Sequence, residues 1–387
     1  MKKVLHICLA INYLEGWAYQ ENMLPAAHKE LGYDVHIIAA EQYYDEHKKV
    51  VVNRPIGEYV NSDGVTVHIL PGVTTNYSLN RILPKVKGLY KIVKAIGPDV
   101  IFWHGLDPCS YNSYQVSWYV KKHSDVKLFA DCHADYYNRG FDKRPLKCKI
   151  DILISKFWYF PFFKQANKIW GTTPWREVFL KKEYHLKDAK VGCLIMGADD
   201  KHIVGKDKDS VRFQIRKKYS IPQDAFLIVS GGKLDKAKNL HLLCAAVEEI
   251  GKPVHLLLFG KPTPEMEPVF DGYSNCDNIT QLGWIDGSST YDLFLAADLA
   301  CFPGTHSVLW EQSVACAVPG IYKYWDYMTH VNDGGNATFL KEVSLLSLKE
   351  EIQRIKESST YQKMKNAADK CAPRFLMSYV AKMAIEG

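Results

Sequence analysis

Short, unbroken apolar runs alternate with amphipathic stretches along the whole chain, and the rhythm stops once and then restarts. A run of about four to eight apolar residues is how a strand buried on both faces reads, and strand–helix–strand alternation makes a parallel α/β sheet. In the first half the runs predict strands at 4–11, 35–40, 65–70, 100–103, 127–130 and 168–171, with helices at 20–31, 84–96 and 150–166. The second half predicts strands at 226–230, 254–259, 279–282, 299–302 and 320–322, with helices at 240–250, 289–296 and 310–317. Between the halves, 199–216 is charged and nearly free of large apolar side chains, which reads as a linker. The expectation is two Rossmann-like α/β domains with parallel sheets facing a central cleft, at 1–198 and 199–365.

Composition removes several classes. A chain of 387 residues with 47% apolar content can bury two cores, and 24% charge excludes wholesale disorder. Ten cysteines include no CxxC pair, so a zinc module is disfavoured, and reduced thiols with a cytoplasmic address are expected. The opening Met1-Lys2-Lys3 and the run 4–11 imitate a signal peptide. However, the run contains His6 and meets Asn12 to Gly16 without a small-residue cleavage site, so a buried strand is the better reading. The aromatic run 157–163 is far below spanning length.

Charge is uneven. Residues 1–200 hold 27 Lys and Arg against 21 Asp and Glu, which accounts for the whole net charge of +6. A polyanionic surface, phospholipid or nucleic acid, is the implied partner, and the absence of any nucleic-acid-binding motif ranks nucleic acid last. Arg81, Lys85, Lys87, Lys91 and Lys94 recur along one predicted helix, and Lys156 and Lys164 bracket the aromatic run, which suits an anionic membrane surface. The same aromatics could instead fill the first domain's core.

Two loops carry candidate chemistry. In an open parallel sheet, ligands gather at the carboxyl ends of strands, where helix N-termini present free N–H groups. Asn12 to Trp17 joins the first strand to the first helix, and Gly16 either admits a phosphate or sugar or only shapes a turn. In the second half, Gly231-Gly232-Lys233-Leu234-Asp235-Lys236-Ala237-Lys238-Asn239 follows a strand. Its glycines bend the backbone toward an anion, and Lys233 and Lys238 can converge on a diphosphate; a solvated basic loop is the alternative. No GxGxxG occurs, which leaves nicotinamide and flavin cofactors without support.

The order of these elements resembles the donor domain of family 4 retaining glycosyltransferases, which have the GT-B fold. The family's diphosphate stretch is matched by Gly232-Lys233-Leu234-Asp235-Lys236-Ala237-Lys238-Asn239, its strand-end glycine by Phe259-Gly260, and its base-contacting segment by Leu282-Gly283-Trp284. Its glutamate-bearing helix is matched by Glu311 to Pro319, so the resemblance gives Glu311 the ribose hydroxyls. In the first half, Pro98-Asp99-Val100-Ile101, Asp131-Cys132-His133-Ala134-Asp135 and Gly197-Ala198-Asp199 are similar to family elements. The likeness is weakest over 41–80 and 340–365. The family's first glutamate is missing, and Pro303 to Glu311 is shorter than the family's loop. Thr305, His306 and Ser307 then supply the donor-sugar contacts, with His306 otherwise a packing residue.

The resemblance implies front-face transfer with retention, no protein nucleophile and no metal or other cofactor. Lys233 and Lys238 would stabilise the leaving diphosphate, and His133 would contact the sugar. Asp131 and Asp135 would orient His133 or bind acceptor hydroxyls. Gly16 stands where the family has the second glycine of a pair; Glu15 replaces the first, and Glu15 with Trp17 would shape the acceptor site. Segment 366–387 would return to the first domain. The implied partners are a nucleotide sugar, probed first as a UDP-sugar, and a glycan or lipid-linked acceptor in surface polysaccharide assembly. A nucleotide-sugar 2-epimerase and a non-catalytic nucleotide-sugar-binding protein are the competing readings. Asp207-Lys208-Asp209 matches a metal-binding Asp-x-Asp only as a string and reads as solvated charge.

Overall fold

The computed structural model describes residues 1–17, 19–45, 50–73, 85–106 and 111–386. The chain forms two compact units, Met1–Ile195 joined by the residues from Val380 onward, and Met196–Tyr379. Residues 366–379 thus stay with the second unit, and the chain rejoins the first at Val380 rather than at 366.

The first unit contains β1 (Lys3–Cys8), α1 (Gln20–Glu30), β2 (Asp34–Ala40), β3 (Gln42–Asp45), β4 (Val50–Asn53), β5 (Gly57–Val60) and β6 (Thr66–Leu70). Then come α2 (Leu89–Ile96), β7 (Val100–Trp103), α3 (Asn112–Lys122), β8 (Lys127–Cys132), α4 (Pro145–Gln165), β9 (Lys168–Gly171), α5 (Pro174–Glu183) and β10 (Val191–Cys193). Its sheet runs β10-β9-β8-β7-β1-β2-β6-β5, parallel except for the β5–β6 pair. The central strands are sealed on both faces: Val4, Leu5, Ile7, Ile101, Phe102 and Trp103 are all buried. That explains why their sequence reads as unbroken apolar runs rather than alternation.

The second unit contains α6 (Lys208–Lys218), β11 (Phe226–Gly231), α7 (Leu240–Ile250), β12 (Val254–Phe259), α8 (Glu267–Asp271), β13 (Ile279–Gln281) and α9 (Ser289–Ala296). It continues with β14 (Leu299–Phe302), α10 (Leu309–Ala315), β15 (Gly320–Lys323), β16 (Ala337–Leu340), α11 (Leu345–Lys356), α12 (Ser358–Cys371) and the start of α13 (Met377–Glu386). Its sheet, β13-β12-β11-β14-β15-β16, is parallel throughout. In both sheets the strand order reverses beside the first strand, between β1 and β7 and between β11 and β14. These reversals are where an open α/β sheet leaves a crevice at its carboxyl edge.

Three expectations need correction. The stretch 199–216 is not a linker: α6 occupies its second half, started by Asp207 accepting the amides of Asp209 and Ser210. Arg216 on α6 is fully buried and pairs with Asp298 at 2.9 Å, while Arg212 reaches the other oxygen of Asp298 at 2.9 Å. A charged sequence hid a helix whose Arg216 guanidinium is consumed inside. The helix at 84–96 begins only at Leu89; Arg81 lies outside the described residues, and Lys85 is buried before the helix. The aromatic run divides between its two readings, for Tyr159 and Phe162 are in the core while Phe157 and Phe160 are 71% and 57% exposed. No helix among the described residues is long and apolar enough to cross a membrane.

Candidate functional site

At the carboxyl edge of the second sheet, glycine backbones press together. A Cβ on Gly260 (φ +124°) would overlap the Gly232 carbonyl, and one on Gly304 would overlap the Lys238 backbone. The Gly260 N–H donates to the Gly283 carbonyl at 2.7 Å, and the Gly232 N–H to Phe259 O at 3.0 Å. Only glycine permits these approaches. The loops after β11 and β14 are then laced together: Asn239 Nδ2 donates to Pro303 O at 3.0 Å, Thr305 N–H to Ala237 O at 3.3 Å, and Lys238 Nζ to Thr305 O at 2.7 Å. Burial lowers the pKa of Lys238.

From that laced loop the chain reaches a buried carboxylate. Glu311 lies in the first turn of α10 and is fully buried. His306 Nε2 and His330 Nε2 each donate to its Oε1 at 2.8 Å, and its Oε2 has no hydrogen-bond partner. Burial opposes ionisation, yet the rings of His306 and His330 hold the carboxyl well below its usual range. These three residues bring their ligand atoms within 4.8 Å, the only grouping among the described residues able to take a metal ion. A metal there would have to displace both hydrogen bonds to Oε1.

The first sheet's reversal carries a second buried carboxylate and a chain of histidines. His133, whose side chain is 30% exposed, places Nε2 3.4 Å from Asp131 Oδ1, which also accepts the Gly105 N–H at 2.7 Å. His104 Nδ1 stands 3.0 Å from Asp131 Oδ2, His104 Nε2 2.9 Å from His6 Nδ1, and His6 Nε2 3.0 Å from His28 Nδ1. His28 Nε2 ends the chain on the Ala381 carbonyl of α13 at 2.8 Å. All of these groups except His133 are fully buried.

The direction of the bonds follows from that last acceptor. A carbonyl only accepts, so His28 donates from Nε2 and accepts at Nδ1. His6 must then donate from Nε2 and accept at Nδ1, and His104 donates from Nε2. His104 Nδ1 faces the Asp131 Oδ2 carboxylate oxygen at 3.0 Å. Burial keeps His6 and His28 singly protonated: it lowers His6 well below its ordinary value and His28 to about 4. Burial works against an ionised Asp131, but His133 and His104 hold its carboxyl well below the usual range.

Beside β1, Gly16 (φ +79°) turns the chain so that Glu15 and Trp17 line a cavity of about 560 Å³ together with Tyr43, Arg54, Glu58 and Tyr59. Arg54 is anchored on the Tyr13 carbonyl at 2.9 Å and lies 5.3 Å from the Tyr43 ring. Burial pushes the Tyr59 phenol up to about 12, and Glu15 adds to the shift.

No protein-family model matches the chain, and no curated protein sequence matches it either. Solved structures do. Sucrose-phosphate synthase from Thermosynechococcus elongatus is 16% identical with a TM-score of 0.64, over 99% of this chain and 97% of that one. HepE from Anabaena, solved with UDP and glucose, is 14% identical with a TM-score of 0.64, over 99% and 98%. A Listeria monocytogenes protein assigned as a UDP-N-acetylglucosamine 2-epimerase is 13% identical with a TM-score of 0.59, over 99% and 94%. The chain has the GT-B fold.

Within the GT-B frame, the structure joins Gly232, Gly260 and Gly283 through their backbones, and Lys238, Thr305, His306 and Glu311 through side chains and the loop. It does not bring Lys233 to Lys238. Lys233 is largely exposed, 3.8 Å from Asp235, whereas the Lys238 ammonium is engaged by loop carbonyls. The Thr305 amide is already bonded, Ser307 Oγ accepts the Leu309 amide at 3.4 Å at the start of α10, and Trp284 is 76% exposed. Asp131 is sealed beneath His133 rather than open to an acceptor, and Asp135 is held by Arg176 at 3.2 Å and by the Asn138 amide. His6, His28, His104 and His330 were missed. His6 and His104 sit in or next to apolar strand runs, where a lone polar residue marks a buried partner; His330 lies in a segment with no motif.

Proposed function

We propose that this GT-B chain is a glycosyltransferase that moves a sugar from a nucleotide-sugar donor, a UDP-sugar first among them, to a glycan or lipid-linked acceptor in surface polysaccharide assembly. One observation carries the reading. Glu311 is buried, its Oε1 is fixed by two imidazoles, and its Oε2 is left as an unpaired acceptor beside the glycine-packed loops. A buried carboxylate oxygen in that state lacks a hydroxyl donor, and a ribose supplies one. The fold shared with HepE, solved with UDP and glucose, supports the same placement.

The chemistry assigned to the chain is positioning and charge stabilisation, and we read transfer as retaining. Lys233, exposed on the loop after β11, is assigned to the leaving diphosphate. Lys238 holds the Thr305–His306 carbonyls in place, so its effect on the donor is indirect. With Nε2 turned to Asp131, His133 offers Nδ1 outward as an acceptor for a sugar hydroxyl. The cavity of Glu15, Trp17 and Tyr59 suits an acceptor sugar, with rings for its apolar face and a carboxylate for its hydroxyls. No step uses a metal.

Incubation with a panel of UDP-sugars tests the reading. Release of free sugar together with UDP supports transfer. Interconverted donor would favour the 2-epimerase reading, which the Listeria neighbour motivates. Tight UDP binding with neither product would mean a nucleotide-sugar-binding protein, and no UDP binding at all would defeat all three.

A further inference from the structure

Helix α4 is apolar on both faces, and only one of them is covered. Cys148, Ile152, Ser155, Tyr159 and Phe162 are buried in the first unit's core. On the other side Leu146, Ile150, Leu153, Ile154, Phe157 and Phe160 are 47% to 73% exposed. At about 3.6 residues per turn, those six side chains fall within an arc of about 120°, opposite the buried five. A helix apolar all round belongs between two apolar neighbours, and a contiguous exposed stripe of this kind marks an interaction surface.

Charge decides what covers it. From Asp142 to Gln165 the chain carries six basic residues, Lys143, Arg144, Lys147, Lys149, Lys156 and Lys164, against Asp142 and Asp151. No acidic residue enters the stripe. Lys164 lies over the Phe160 ring at 4.5 Å, and on α3, which packs against α4, Lys122 lies over the exposed Trp118 at 4.6 Å. Apolar stems and rings beside ammonium groups are the residue types that settle where hydrocarbon meets headgroups. A second copy of this chain fits poorly, because both ends of the stripe are basic and any pairing sets lysine against lysine.

We propose that the exposed face of α4, with the Trp118–Lys122 pair of α3, docks flat on an anionic lipid leaflet. The 21-residue helix lies in the headgroup plane, its six apolar side chains in the acyl boundary and its lysines at the phosphates.

The test is sedimentation of the whole chain with vesicles of phosphatidylcholine alone or mixed with phosphatidylglycerol. The expected result is binding to the mixed vesicles at least about tenfold tighter than to the neutral ones, weakening with salt. The doubles Leu153→Ser/Phe157→Ser and Lys147→Glu/Lys149→Glu alter exposed positions, so circular dichroism should stay unchanged while binding falls by about tenfold or more. The composition comparison needs no variant and stands even if one misfolds. Equal binding to both vesicles, or binding to neither, overturns the proposal. So does a concentration-dependent dimer, seen by sedimentation velocity, that the apolar double abolishes.

Discussion

Acidification should weaken the first unit through its buried histidines, and the size of the effect follows from His28. Its folded pKa lies near 4 against an ordinary 6.5, because burial disfavours the charged ring. An unfolded chain takes up a proton below about pH 6.5 that the folded chain refuses until about pH 4, so stability is full above that window and falls as pH drops through it. Integrated between pH 7 and pH 5, the loss from His28 alone is about 2 kcal/mol. His6, shifted in the same direction by burial and by its neighbouring rings, adds to it. The perturbation that isolates the effect is His28→Gln. Its amide oxygen can accept from His6 and its NH2 can donate to Ala381, so the bonds survive while the titration disappears. Guanidinium unfolding followed by circular dichroism, resolved into the transitions of the two units, gives stability at each pH. The wild-type first unit should lose about 2 kcal/mol more between pH 7 and pH 5 than the variant. Equal losses in the two proteins would show that His28 is not buried and neutral, and the bond directions traced through His6 and His104 would fail with it.

Three shorter predictions concern the second unit. Gly260→Ala should cost about 3 kcal/mol or more, since its Cβ overlaps the Gly232 carbonyl at a backbone angle that side chains avoid; thermal melting of the second unit reads it. Lys233→Ala should weaken UDP binding severalfold and flatten its salt dependence by calorimetry, whereas Lys238→Met should lower the second unit's melting temperature by freeing the 305–306 loop. A chelator should leave turnover unchanged, and added zinc should inhibit by drawing His306, Glu311 and His330 away from their hydrogen bonds.

The parallel sheets were legible because strands sealed on both faces cannot alternate in polarity, and Ile228, Val229, Leu256 and Leu257 are such residues. The glycine positions at strand ends were legible for the same steric reason that makes them necessary. What composition concealed was charge turned inward. Arg216 and Asp298 make a buried pair, yet Arg216 sits in a stretch that reads as solvent-facing. Lys238 likewise reads as an anion binder, although its ammonium closes a loop on itself. The histidine chain was illegible in principle. His6, His28 and His104 are far apart in sequence, and only the strand order that sets β1 beside β7 brings the first and last together.

The two units solve one electrostatic problem in the same way and leave different remainders. A carboxylate sealed from water stays ionised only if donors replace its hydration, and each unit supplies two imidazoles, His104 and His133 around Asp131, His306 and His330 around Glu311. In Asp131 both oxygens are occupied, by His104 on one side and by the Gly105 amide on the other, with His133 Nε2 3.4 Å away. In Glu311 one oxygen takes both rings and the other takes nothing. The first arrangement is therefore a positioning device and the second a waiting acceptor, and isosteric amides separate them. Asp131→Asn removes the buried negative charge that the His104 and His133 rings face, which should cost about 3 to 5 kcal/mol of first-unit stability while UDP affinity holds. Glu311→Gln can keep its carbonyl oxygen between the two rings and place NH2 at the open side. It should cost only about 1 kcal/mol of stability and lower UDP affinity by about tenfold to a hundredfold in calorimetry. If Glu311→Gln bound UDP as tightly as the wild type, the unpaired oxygen would have no part in donor recognition.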